Sequence, residues 1–153
     1  MEENATTPER TYFVSLTRLR IRSIRFLPAF AVHAIRTRNQ CTRAPGFQRG
    51  ALLPDRKWTF WTMTVWDSEA SMRAYILSGD HKIAMPKLMH WCDQASVAHW
   101  TSASDAVPDW VEADRHMRSA GRPSKVRHPA SGHQDLTYAA PRTSYGGPIS
   151  RSA

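Results

Sequence analysis

The chain has 153 residues, enough for one domain with a real core and no disulfide staples. Hydrophobic residues make up 41%, six of them Trp, yet no apolar run nears the roughly 20 residues of a membrane span, and the acidic, polar start MEENATTPER is unlike a secretory signal. Basic residues outnumber acidic ones 21 to 13, but the excess sits at the ends: residues 1–45 carry eight basic and three acidic groups, 46–121 eight and nine, and 122–153 five and one. The near-neutral middle holds most of the hydrophobic pattern, so the charge is poor evidence for nucleic acid.

Residues 1–10 read as a flexible lead-in. A strand is predicted over about 12–19, with Tyr12, Val14 and Leu16 on one face and Phe13, Ser15 and Thr17 on the other. A helix follows over about 24–38, with Leu27, Ala31, Ala34 and Ile35 on its apolar stripe and Pro28 tolerated in its first turn. Ala44-Pro45-Gly46 is a break. A second strand is predicted over 47–53, a turn at Pro54-Asp55-Arg56, and the strongest strand over 57–66. In that strand Trp58, Phe60, Thr62, Thr64 and Trp66 point one way, and Thr59, Trp61, Met63 and Val65 the other. Both faces are apolar or small, so both call for cover.

Asp67 or Ser68 caps the next helix, whose apolar face is Met72, Tyr75 and Ile76; Gly79 ends it. A second helical piece over about 80–92 carries Pro86 and buries Ile83, Leu88, Trp91 and Cys92. A fourth strand is predicted over 95–101, then an amphipathic helix over 108–120 with Trp110, Val111 and Met117 inward. From 122 the chain is a basic arm rich in Pro, Gly and Ser, without period. The order β-α-β-β-α-β plus one helix points to a ferredoxin-like α+β domain over 11–121. Helices cover one face of its four-stranded antiparallel sheet and leave the other bare.

The stretch 58–100 carries a resemblance. WTFWTMTVW, the helix Met72-Arg73-Ala74-Tyr75, Ser78-Gly79-Asp80-His81, Ala84-Met85-Pro86, Trp91-Cys92 and the strand end His99-Trp100 resemble the antibiotic-biosynthesis-monooxygenase-like superfamily. Within it, they are most similar to the spheroidene monooxygenase-like branch and its uncharacterised relatives. The segment Gly121–Pro129, GRPSKVRHP, is similar to one that follows the final helix there. The resemblance implies a dimeric α+β barrel, hence a homodimer, with a pocket between sheet and helices in each protomer. It implies enzymes of secondary metabolism acting on hydrophobic or aromatic small molecules, some with haem and some with no cofactor.

His81 is the first candidate: an imidazole after a helix-ending glycine suits either a haem ligand, making it the only metal-ligand candidate, or an acid–base group near pH 7. The bland alternative is a histidine that caps backbone or pairs with Asp80. His99 lies on the strand face of Ala95 and Val97, and reads as a core histidine or a second proton carrier. Trp58, Phe60, Trp61, Trp66, Tyr75 and Trp91 are candidate pocket walls, since aromatics bury large planar or polyene ligands with few rotamers; plain core is the competing reading. Arg122, Lys125 and Arg127 are candidate anion contacts. No His-x-x-His or Cys-x-x-Cys spacing supports zinc. Cys41 and Cys92 fit free thiols in a cytoplasmic protein, and Cys92 a buried, inert one.

Three readings follow. The first is a monooxygenase-like enzyme using His81, with haem or without it. The second is a cofactor-independent lyase or isomerase in which His81 or His99 moves a proton. The third is a non-catalytic, small-molecule-binding dimer. An RNA-recognition reading shares the element order, but 57–61 lacks that motif's glycine. The expected partner is therefore a hydrophobic small molecule, with neither nucleic acid nor membrane insertion.

Overall fold

The computed structural model describes residues 7–144 and 146–152. Strand β1 (Tyr12–Ile21) leads through a 3-10 turn (Ile24–Phe26) into α1 (Leu27–Arg43). Then come β2 (Phe47–Asp55), β3 (Thr59–Trp66), α2 (Glu69–Ile76), α3 (Gly79–Trp91), β4 (Cys92–Ser102) and α4 (Trp110–Ala120). Two short strands, β5 (Arg122–Pro123) and β6 (Gly147–Ser150), complete the sheet. Its order is β5-β4-β1-β3-β2-β6, with every neighbouring pair antiparallel. The central four strands, β4-β1-β3-β2, have the predicted ferredoxin-like order.

Strand alternation sorts the core into two layers. On one face, Phe13, Phe47 and Trp66 pack with Cys41 of α1 and Met72 of α2. Further along, Leu19 and Phe60 meet Phe30 of α1 and Trp91 of α3. On the other face, Val14, Leu16, Trp61, Met63 and Val65 pack against Trp110, Ala113 and Met117 of α4. The second face, read from sequence as bare, is therefore covered. Trp110, Ala113 and Met117 recur at helical spacing, and the same stripe that makes α4 amphipathic makes it a lid for the sheet. Asp109 starts α4 by accepting the Glu112 N–H at 2.8 Å.

Several helical faces differ from their predicted ones. Ile35, Ile83 and Val111 were expected inward but are 60%, 57% and 56% exposed. Gly79 opens α3 with a φ of +55° instead of ending α2, which stops at Ile76 with Leu77 as its C-cap. Pro86 lies inside α3 without ending it. The β2–β3 connection is a three-residue hairpin loop, Arg56–Trp58, between the paired Asp55 and Thr59: Lys57 and Trp58 both have φ of 56°, and Thr59 N–H donates to Arg56 O.

Residues 122–144 and 146–152 lie along the domain. The stretch begins at the β4 edge, places Tyr138 beside Trp61 on the α4 side, and ends as β6 on the β2 edge. Ile149 of β6 is 2% exposed, and Ser152 N–H donates to Thr42 O.

Candidate functional site

The helical face of the sheet carries a continuous aromatic stack. Phe47 meets Trp66 at 5.5 Å, Trp66 stacks on Tyr75 at 5.2 Å, and Tyr75 meets His81 edge-on at 4.9 Å. Strand β3 presents Trp66, whose indole N–H donates to Thr64 Oγ1 at 2.8 Å. Helix α2 presents Tyr75, whose hydroxyl donates to Thr37 O at 3.1 Å. Burial pushes the Tyr75 phenol well above its usual range, so it stays protonated.

His81 is fixed from two sides. Its backbone N–H donates to Gln40 Oε1 at 2.8 Å, and its Nδ1 lies 3.2 Å from Ile76 O. A carbonyl only accepts, so Nδ1 carries the proton and Nε2 keeps its lone pair. Burial holds the ring below its ordinary pKa, against the opposing pull of the Ile76 carbonyl, so the ring is neutral at pH 7. Gln40 was missed by sequence reasoning. Its side-chain N–H groups donate to Ser78 O and Tyr75 O at 2.9 and 3.2 Å, so one α1 residue pins the whole α2–α3 junction. Gly79 lets the junction lie against it: a Cβ at that position would stand 3.1 Å from the Gln40 side chain.

His99 approaches the same aromatic cluster through Phe13, at 5.2 Å. Desolvation, then Arg122, lowers its pKa; Glu69 raises it and Arg73 lowers it further. Glu69 lies in the first turn of α2, whereas His81 bonds the last, so the two histidines flank α2 at opposite ends.

A groove of about 790 Å³ runs beside this stack, walled by Arg36, Asn39, Gln40, Arg43, Ser71 and Ser78, with Tyr75 among its lining residues. His81 touches the groove's lining through Tyr75 and Gln40. A haem held by His81 needs apolar walls on both faces of its macrocycle. The groove is lined by two arginines and five other polar residues beside Tyr75 and the small Ala44, Pro45, Ala70 and Ala74; His81 is not among its lining residues, and Tyr75 closes one side of the imidazole. These residues do not fit a haem. Among the described residues, no group of three His, Cys, Asp or Glu is placed to hold a metal ion.

The remaining sequence candidates disperse. Trp66 and Tyr75 join His81. Phe60 and Trp91 lie in the neighbouring cluster of the same face, where Phe60 meets Phe30 at 4.8 Å and Trp91 meets His33 at 5.6 Å. Trp61 is fully buried on the α4 side, and Trp58 stands 50% exposed at the hairpin tip. Arg122 neighbours His99, Arg127 neighbours His90, and Lys125 is exposed. Both cysteines are free and buried, and desolvation pushes each thiol up to about 12.

Arg18 was also missed, though it follows Val14 and Leu16 on one strand face, where a charge breaks the apolar pattern. It is buried beneath Tyr138, 4.3 Å from that ring, and donates to Gln94 Oε1 at 2.8 Å. Desolvation lowers its pKa to about 10, so it remains a cation.

Solved structures share this architecture at low sequence identity. A Pseudomonas aeruginosa protein, PA3566, is 9% identical with a TM-score of 0.55, covering 63% of this chain and 98% of its own. NE2512 of Nitrosomonas europaea, of unknown function, is 14% identical with a TM-score of 0.53, covering 65% and 97%. A candidate antibiotic biosynthesis monooxygenase from the same organism is 13% identical with a TM-score of 0.51, covering 63% and 93%. At this identity the likenesses show a shared α+β fold built on an antiparallel sheet. No curated protein matches the sequence. No helix among the described residues is long and apolar enough to cross a membrane. Residues 13–125 match the family described as Domain of unknown function (DUF3291), and the chain belongs to it.

Proposed function

We propose that this protein is a cofactor-independent enzyme of the monooxygenase-like type, acting on a hydrophobic or aromatic small molecule, with His81 as its base. The observation that carries the reading is the His81 ring: Nδ1 is committed to Ile76 O, so Nε2 presents a lone pair beside Tyr75. Such a neutral, half-buried imidazole accepts a proton from an activated C–H or O–H group. Oxygenation of an activated CH2 to a carbonyl by O2, with water as second product, balances without an external reductant. The substrate's own carbanion supplies the electrons, and the protein binds, orients and deprotonates. The Tyr75 ring, which lines the groove, supports a planar substrate. The likeness of 58–100 to the spheroidene monooxygenase-like branch supports an apolar one. His99 is the second candidate for the proton.

The test is oxygen consumption with product mass analysis on a panel of polycyclic phenols and anthrones. Turnover is expected in the wild type, with a loss of about 10²-fold or more in His81→Ala at unchanged circular dichroism. Turnover that survives this substitution overturns the assignment of His81. Haem titration is expected to give no Soret shift that depends on His81.

A further inference from the structure

At the far end of α3 a second group of polar side chains gathers, unrelated to His81. Arg22, just after β1, donates from Nε to His90 O at 2.7 Å, and its Nη2 lies 3.4 and 3.5 Å from the two His90 ring nitrogens. Its guanidinium sits over Phe26 at 4.8 Å, and that of Arg25 over the same ring at 4.6 Å. His90 meets Phe26 edge-on at 5.3 Å and His128 at 5.7 Å. Arg127 is brought in by its backbone, whose N–H donates to Met89 O at 2.9 Å. Two guanidiniums and the His90 ring thus gather on Phe26, while His128 and Arg127 adjoin His90 from a third chain segment.

None of the five forms an ion pair with a carboxylate among the described residues. The nearest acid in sequence, Asp93, is taken by Arg20 at 2.8 Å. Desolvation and then Arg22, His128, Arg127 and Arg25 depress the pKa of His90, with no anion opposing them. Like charges repel when gathered this way, and the packing on Phe26 holds them together regardless. Planar guanidiniums suit an oxyanion with several acceptor oxygens, and three of them match a dianion better than a single carboxylate.

We propose that Arg22, Arg25 and Arg127, with His90, form a binding site for the phosphate group of a soluble small-molecule ligand. The site stands about 14 Å along α3 from His81, nine residues at helical rise, so it is separate from the proposed catalytic group.

The probe is inorganic phosphate, titrated by calorimetry into the full-length protein, with His90 followed by NMR. Saturable binding is expected, raising the pKa of His90. Arg25 and Arg127 are exposed, so Arg25→Gln and Arg127→Gln keep the fold. Each is expected to weaken binding about tenfold, the loss of one charged hydrogen bond. Exposed Arg115, on α4 across the sheet, serves as control, and Arg115→Gln is expected to change affinity by less than about twofold at physiological salt. A non-saturating titration, or an equal loss in Arg115→Gln, overturns the proposal. So does binding to phosphatidate-doped phosphatidylcholine vesicles without binding to free phosphate, which would place the phosphate on a lipid.

Discussion

His81 and His99 both titrate below the ordinary histidine value in the folded chain, chiefly because burial disfavours their cations. Between pH about 6.5 and those lowered values, the unfolded chain holds more protons than the folded one. Stability is therefore complete above pH about 6.5 and declines as pH falls through that window. The midpoint of thermal unfolding is expected to drop from pH 7 to pH 5, and to drop less in the double variant His81→Gln, His99→Gln. An identical pH slope in wild type and double variant would show that neither ring is held neutral by the fold. His81 was legible in the sequence because a histidine after Ser78-Gly79 announces a helix junction. Its tautomer was not legible, because Ile76 O and Gln40 Oε1 are fixed by the mutual packing of α1, α2 and α3. The same holds for Arg22, Arg25 and His90, which are ordinary surface residues until Phe26 gathers them.

At the level of elements, strand alternation located the sheet and its faces, because its two-residue period survives any tertiary context. Helical stripes were read less well. Ile35 and Ile83 were assigned inward from hydrophobicity, but Phe30 and the small residue Ala84 face the core instead, while Trp91 is buried as expected. The turn of the β2–β3 hairpin was misplaced for a different reason. It puts Lys57 and Trp58 at φ of 56°, where Asn-Gly is the usual signal, so the turn was read two residues early. Two non-glycine residues there carry strain of about 1 kcal/mol each. Replacing them with the preferred pair, Lys57→Asn with Trp58→Gly, should remove that strain while keeping the Trp58 carbonyl that accepts the Ile21 N–H at 2.9 Å. A net gain of about 1 kcal/mol is expected after the loss of the half-exposed indole, seen as a Tm rise of a few degrees. A fall in Tm would mean that the Trp58 side chain holds the hairpin end.

The molecule as a whole is closed by residues 122–144 and 146–152, whose composition showed no sign of order. Gly147-Pro148-Ile149-Ser150 has no strand signature of its own. It becomes β6 because the β2 edge offers unpaired backbone groups and the Cys41–Phe47–Trp66 cluster offers a seat for Ile149. Order of this kind comes from the partner surface, so local pattern cannot reveal it. Ile149 should then be the residue that keeps the arm seated. Ile149→Ala removes a buried side chain, and detachment of β6 caps the cost at about 2 kcal/mol, near the low end for such a truncation. The readout is the Cys41 thiol, which burial pushes up to about 12 and which lies in the cluster that Ile149 covers. Alkylation at pH 8, resolved by peptide mass, should be slow at both cysteines in the wild type. In Ile149→Ala, Cys41 should react about 30-fold faster, the population shift equivalent to 2 kcal/mol. Cys92 packs with Ile21, Trp91 and Ala95 away from β6, and should keep its wild-type rate. Equal acceleration at both thiols would mean that the whole domain had loosened. No acceleration at Cys41 would mean that β6 does not guard it.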